Sequence, residues 1–230
     1  MRNKIILDLC GGTGSWSRPY KVAGGGYTVI NITLPDYDVR KALRADRAGE
    51  YIFFPKESET PGEGLLLRIN EIYGILAAPP CTEFSILNCK AEPRERDELA
   101  GMEIVQACRR IIGLCEPIFW AMENPRGFLR KYLGEPKLSF QPWWYGDAWT
   151  KATDIWGSFN IPERKHERWE DVPKLDIYTR PNREKPNFAF LHKSAWNNIP
   201  QLHYHKPETD AEFRAMTPPG FAQAFFEANK

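Results

Sequence analysis

Apolar residues along this chain come in short runs that stop at an acidic residue, a glycine or a proline. "KIILDLC", residues 4 to 10, reads as a buried strand ending at a glycine turn, and "SRPYKVAGG" as a short helix closed by glycines. "YTVINITL" is a second, β-branched strand that ends at "LPDYD". Residues 40 to 72 carry no clear period, and "PKESETPGEG" within them is expected to be an exposed loop. "IYGILAA" is another apolar strand, delivering the chain into Pro79, Pro80 and Cys81. From about Arg94 to Glu116 the period is helical: Ile104, Cys108, Ile111 and Cys115 step by four, three and four, with Met102, Val105 and Ile112 beside them. Cys108 and Cys115 are therefore expected to be buried core thiols. "PIFWAM" is a further strand running into Glu123, Asn124 and Pro125, and "GFLRKYL" a short helix ended by Gly134.

Strand and helix alternating in this way, with strands apolar throughout, predict an α/β fold: a mostly parallel sheet with helices on both faces. Ligands of such sheets lie beyond the carboxyl ends of the strands. Asp8, the LPDYD turn, Cys81 and Glu123 all fall at such ends, so one crevice is expected to hold them. After Gly157 the alternation fails, and residues 160 to 208 are rich in Pro, Lys, Arg, Asn and aromatics. "TPPGFAQAFFEANK" resumes a helix, with Thr217 as N-cap, Pro218 at its first position and a return to the sheet. The expected organisation is a core over 1–157, a small irregular appendage over 158–213 and a returning helix over 214–230.

Composition narrows the class. The 230 residues are 42% hydrophobic and 27% charged, and no run approaches the roughly 18 apolar residues of a membrane span. No secretory segment follows Met1, so a cytoplasmic location is expected, in a host cell if the chain is phage-encoded. Five cysteines, without a CxxC pair or a matching histidine cluster, argue against a disulfide framework and a zinc site. No metal and no membrane partner are expected. A net charge of +1 neither supports nor excludes nucleic acid, because such binders often carry their basic residues as a local stripe. The eight tryptophans, mostly beyond residue 119, read as core or lid, with nucleobase stacking the alternative.

"DLCGGTGSW" puts glycines between a strand and a helix, where backbone approaches a ligand closely. It is neither GxGxxG nor a P-loop, and Asp8 before it suits an amino group better than phosphates. Two prolines fix the backbone ahead of Cys81 and remove two N–H donors. Cys81 reads either as a plain loop cysteine or as a nucleophile; with no nearby histidine in sequence, addition to an activated ring fits it better than protease chemistry. Glu123 either enters the crevice partly desolvated, with a raised pKa suited to sharing a proton with a ring nitrogen, or caps the next helix.

These motifs resemble the DNA cytosine-5 methyltransferases. "DLCGGTGSW" is similar to that family's first motif, "APPCTEFS" to its proline-proline-cysteine loop and "MENPRG" to its glutamate-asparagine motif. "YGDAWTKATDIWG" stands where the family has Tyr-Gly and Gln-x-Arg-x-Arg, and "RAMTPPGFAQAFF" is similar to an Arg-x-x-Thr-Pro segment. The order is the family's, over roughly 1 to 157 and 214 to 226, and the likeness is greatest to short phage-associated proteins with a reduced target-recognition region. The resemblance implies a class I S-adenosylmethionine-dependent, Rossmann-like methyltransferase acting on carbon 5 of cytosine. Cys81 would be the nucleophile and Glu123 the residue on nitrogen 3. Asp8, Cys10, Gly11, Gly12, Gly14, Ser15, Thr33, Asp38 and Pro79 would line the cofactor, and Pro80, Ser85, Asn124, Arg126, Lys151 and Thr153 the substrate. DNA is the implied partner, with RNA or a free cytidine nucleotide as alternatives; a binding module that has lost turnover is the reading from another class. Departures are Cys10 in place of an aromatic residue, Thr33 in place of an acidic one, and Trp149, Lys151 and Thr153 in place of Gln, Arg and Arg. A closing motif over the cofactor is not evident.

Overall fold

The computed structural model describes residues 4–58, 60, 62–85 and 97–230. Its centre is a six-stranded sheet. β1 (Lys4–Leu9) pairs in parallel with β2 (Tyr27–Ile32) on one side and with β6 (Ile72–Ala77) on the other, and β6 pairs in parallel with β7 (Phe119–Pro125). β9 (Thr153–Ser158) adds antiparallel to β7, and the short β8 (Leu138–Phe140) closes the far edge, for an order β2-β1-β6-β7-β9-β8. The expected α/β, Rossmann-like sheet, mostly parallel, is thus the one present.

Successive side chains of a strand point to opposite faces, which divides the core. Ile5, Leu7, Ile75, Ala77 and Met122 pack on one side with Val105, Cys108, Ile111 and Cys115 of α2 (Glu98–Cys115). Ile6, Leu76, Phe119 and Ala121 pack on the other with Tyr20 of α1 (Arg18–Ala23) and with Phe221, Ala222 and Phe225 of α5 (Pro219–Ala228). The helical stepping of the α2 cysteines places both thiols in the core, as expected. The start of that helix expected at Arg94 lies outside the described residues, as does Cys89.

Three expectations need correction. Residues 40 to 72 are not featureless: β3 (Leu43–Arg44), β4 (Tyr51–Pro55) and β5 (Gly64–Arg68) form an antiparallel three-stranded sheet whose Ile52, Phe54 and Leu67 join the α2 core. Glu123 does not follow its strand but belongs to it, because β9 pairs with β7 as far as Pro125 and holds Glu123 opposite Ile155. Nor does it cap a helix: after a turn comes only the four-residue α3 (Arg130–Leu133). Thr217 is not an N-cap either. Helix α5 starts at Pro219 and its cap comes from outside: Gly220 N–H donates to both carboxylate oxygens of Asp147 at 3.1 Å.

From Asn160 to Thr209 there are only 3-10 turns, yet the segment has a core of its own. Trp149, Trp169, Phe188, Leu191, Ile199 and Leu202 pack there with Phe213 of α4 (Asp210–Ala215). Trp16, Trp149, Trp156 and Trp169 are buried, so half of the eight tryptophans are core residues. Among the described residues no helix is long and apolar enough to cross a membrane, and no cluster of three or more His, Cys, Asp or Glu side chains could hold a metal.

Candidate active site

β1, β2, β6 and β7 run parallel, so their carboxyl ends share one edge of the sheet. The glycine turn leaves the end of β1. Cys10 takes a left-handed backbone (φ 56°), unusual for a residue with a Cβ. Asp8 is fully buried beneath the turn, its Oδ2 accepting from Ser17 Oγ at 2.5 Å and its Oδ1 without a hydrogen-bond partner among the described residues. Gly11 is required there, because a Cβ would lie 2.3 Å from the Asp8 carboxyl carbon. Gly12 has φ 51° and open space where a side chain would be, so the turn leaves its backbone bare there. Asn31 of β2 steadies it by donating to the Gly12 carbonyl at 3.0 Å. Burial pushes the Asp8 carboxyl up to about 6, outweighing the Ser17 bonds that pull it down.

The remaining positions expected around a cofactor are in mixed states. Ser15 Oγ accepts from Thr217 N–H at 2.7 Å, tying the turn to the segment before α5. Thr33 is half-buried just beyond β2. The Asp38 carboxylate is gripped by Arg40, with the guanidinium at 2.6 Å, and is held below the usual carboxylate range by that bond. Cys10 packs against the α2 core, where Cys108 lies within hydrogen-bonding reach of its thiol.

Beyond β6, Pro79 is buried and its carbonyl accepts from Asn124 Nδ2 at 3.0 Å, which locks the proline loop to β7. Pro80 is exposed and Cys81 half-buried. The loop then turns on itself, Phe84 and Ser85 both donating to the Cys81 carbonyl, and Ser85 bridges to Gly127. Cys81 is thereby held near enough to Glu123 for the carboxylate to act on its thiol.

Three side chains act on one another here. Burial pushes the Cys81 thiol above its ordinary value, the Glu123 carboxylate pushes it further and the Lys151 ammonium opposes both. Burial likewise raises the Glu123 carboxyl, Lys151 lowers it and Asp154 raises it. Lys151 is brought in by β9, which it precedes, and is anchored by donating from Nζ to the Met216 carbonyl at 3.2 Å. The structure so joins Cys81, Glu123 and Lys151. It uses Asn124, Ser85 and Thr153 as buried framework: Thr153 Oγ1 donates to the Lys151 carbonyl at 2.9 Å. Arg126 is exposed, and its backbone N–H donates to Ala152.

Sequence reasoning missed Ser17, Asn31, Asp147 and Asp154. Asp154 is fully buried and held by Arg130 at 2.6 and 2.7 Å and by Ser139 Oγ at 2.7 Å. Its only signal was an acidic residue inside an otherwise apolar strand, "TDIWG".

No family model matches the chain, and no curated protein matches it. Solved structures do: among them is an E. coli crystal structure whose description as a prophage-encoded DNA modification methyltransferase is provisional, with 16% identity and a TM-score of 0.45. That match covers 79% of this chain and 56% of the other, so the chain spans little more than half the length of the structure it is similar to.

Proposed function

We propose that the protein is a DNA methyltransferase that transfers a methyl group to carbon 5 of cytosine through a covalent adduct on Cys81. In this reading residues 1–157 are the catalytic core, 158–213 a reduced target-recognition appendage and 214–230 a returning segment. The observation that carries it is the mutual influence of Cys81 in the loop after β6, Glu123 within the neighbouring parallel β7 and Lys151 just before the antiparallel β9. Packing does not require this placement, since a desolvated thiol, carboxyl and ammonium together cost stability.

S-adenosylmethionine supplies the methyl group when bound. The chain suits such a ligand: the turn from Cys10 to Gly14 offers open backbone over Gly12, and Asp8 beneath it keeps one carboxylate oxygen without a partner among the described residues. Cys81 gives its sulfur to carbon 6 of the ring, losing its proton. Glu123, whose raised pKa keeps the carboxyl protonated higher in pH than usual, places a proton on nitrogen 3, so electrons gather at carbon 5. After methylation, the carbon 5 proton passes to solvent and the thiolate leaves carbon 6, while nitrogen 3 returns its proton to Glu123, which restores the ring and the carboxyl. Lys151 stabilises the thiolate and the Glu123 carboxylate at the stages where each is charged. In a duplex the base would first be rotated out of the stack.

The test is incubation with methyl-labelled S-adenosylmethionine and, separately, duplex DNA, single-stranded DNA, RNA and deoxycytidine monophosphate, followed by mass spectrometry of the nucleosides. The expected product is 5-methylcytosine from DNA, absent with Cys81→Ser. Glu123→Gln should lower the rate by about 10²- to 10⁴-fold, the range for a lost proton-transfer group. Absence of product from every substrate, with the folded protein in hand, would refute the proposal.

A further inference from the structure

Helices α1 and α5 touch on one face of the central sheet and leave a groove of about 410 Å³ between them. Arg18, Val22 and Ala23, from one side of α1, line it with Pro219, Ala222 and Phe226, from one side of α5. Gln201 and Tyr204 of the appendage complete the wall. The volume is that of a small-molecule site, for which about 300–1,000 Å³ is usual. Packing leaves the space unfilled although its walls are largely apolar, and Val22 is 65% exposed there.

The one charged wall residue is Arg18. Its guanidinium lies 4.4 Å from the centre of the Tyr204 ring, and among the described residues it has no carboxylate within ion-pairing distance. A guanidinium over an aromatic face keeps its N–H fork free at the edge, in the geometry that binds a carboxylate through two bonds. One cation without a second matches a single negative charge, a carboxylate in preference to a phosphate dianion. Asp147, whose charge also reaches Tyr204, is not a wall residue and is engaged by the Gly220 N–H. The other walls suit an apolar body behind that carboxylate. We infer that the groove between α1 and α5 binds a small carboxylic acid with an apolar body, its carboxylate on Arg18 and its body among Val22, Ala222 and Phe226. Ser15 joins this site to the glycine turn, for it is a wall residue whose Oγ accepts from Thr217 N–H at 2.7 Å. An occupant thus braces the turn from behind Ser15. Neither Gly12 nor Cys81 lines the groove, which keeps it separate from the proposed reaction.

The experiment is isothermal titration calorimetry with 1-naphthoate and with octanoate, each beside its neutral counterpart, 1-naphthalenemethanol or 1-octanol. At least one acid should bind with one-to-one stoichiometry and a Kd of about 1 mM or tighter, the affinity of about 13 non-hydrogen atoms at drug-sized efficiency. Which acid binds distinguishes an aromatic from an aliphatic ligand. Its alcohol should bind about 10- to 150-fold more weakly, which is the conversion of about 1.5–3 kcal/mol for a charge-assisted hydrogen bond. Arg18→Gln should weaken the acid by the same factor and leave the alcohol unchanged, a pattern that loss of fold does not give. Val22→Phe, at an exposed position, fills the groove and should abolish binding of acid and alcohol alike, whereas S-adenosylhomocysteine should not displace the acid. The inference is overturned if neither acid binds saturably up to about 10 mM, tenfold above that Kd. Equal affinity for acid and alcohol, unchanged acid binding by either variant, or displacement by S-adenosylhomocysteine would overturn it too. Binding is read without methyl transfer, so a failure to methylate sinks the proposed reaction alone, and a failure to bind the acids sinks this site alone.

Discussion

Asp147 is the clearest case in which burial and hydrogen bonding pull one group in opposite directions. Its carboxyl is 5% exposed and caps α5 through the N–H groups of Gly220 and Phe221, which favour the charged form, as does Lys165. Desolvation wins and holds its pKa at about 7, against an ordinary 3.8. At about 1.4 kcal/mol per tenfold change in proton affinity, that gap corresponds to about 4 kcal/mol. The sign follows from the folded value lying above the unfolded one. The stabilisation is fully present below about pH 4 and is lost as pH rises through about 7. Asp147→Asn keeps a carbonyl to accept from Gly220 and stays neutral at every pH. The variant should match the parent near pH 4 and exceed it by a few kcal/mol at pH 8. Urea denaturation followed by tryptophan fluorescence, at half-unit intervals from pH 4 to 8, measures this. The buried Asp8, also raised, is common to both proteins and cancels in the difference. Parallel profiles for parent and variant would refute the reasoning, because they would mean that the two N–H bonds, and not burial, decide the charge state.

Two further substitutions test the framework. Gly11→Ala places a Cβ against the Asp8 carboxyl, which cannot retreat because Ser17 holds it; a loss of about 1–3 kcal/mol is expected in the same denaturation assay, together with weaker S-adenosylmethionine binding by calorimetry. Arg130→Ala strips the fully buried Asp154 of its guanidinium and should cost about 3–5 kcal/mol, whereas Arg164→Ala, whose partner Glu167 is exposed, should cost under about 1 kcal/mol. Equal losses for the two arginines, read as denaturation midpoints, would contradict the assignment of Asp154 to the core.

Much of the central sheet was legible because its signals are local. The runs "KIILDL", "YTVINI" and "IYGILA" are strands over nearly the expected residues, and the stepping of Ile104, Cys108, Ile111 and Cys115 turned one side of α2 inward. A strand period or a helix period is visible within a single element, so no partner need be known to read it. The same locality explains the misreading of residues 40 to 72. β3 is two residues long, and β4 and β5 become a sheet only by pairing across a polar loop and covering α2.

The sequence by itself singled out the candidates for chemistry: Asp8 before its glycines, Cys81 after its prolines, Glu123 before Asn-Pro, and Lys151 where the resembled motif has an arginine. It also determined that the alternation would fail beyond Gly157. Only the tertiary structure decided which of these meet. Cys81 and Glu123 come together because β6 and β7 are neighbours, and Lys151 joins them because β9 inserts antiparallel beside β7. The cap of α5 by Asp147 and the core that Trp149, Phe188 and Phe213 share likewise join residues far apart in sequence. Such contacts follow from which faces bury one another, and that is a property of the packed chain, not of any window along it.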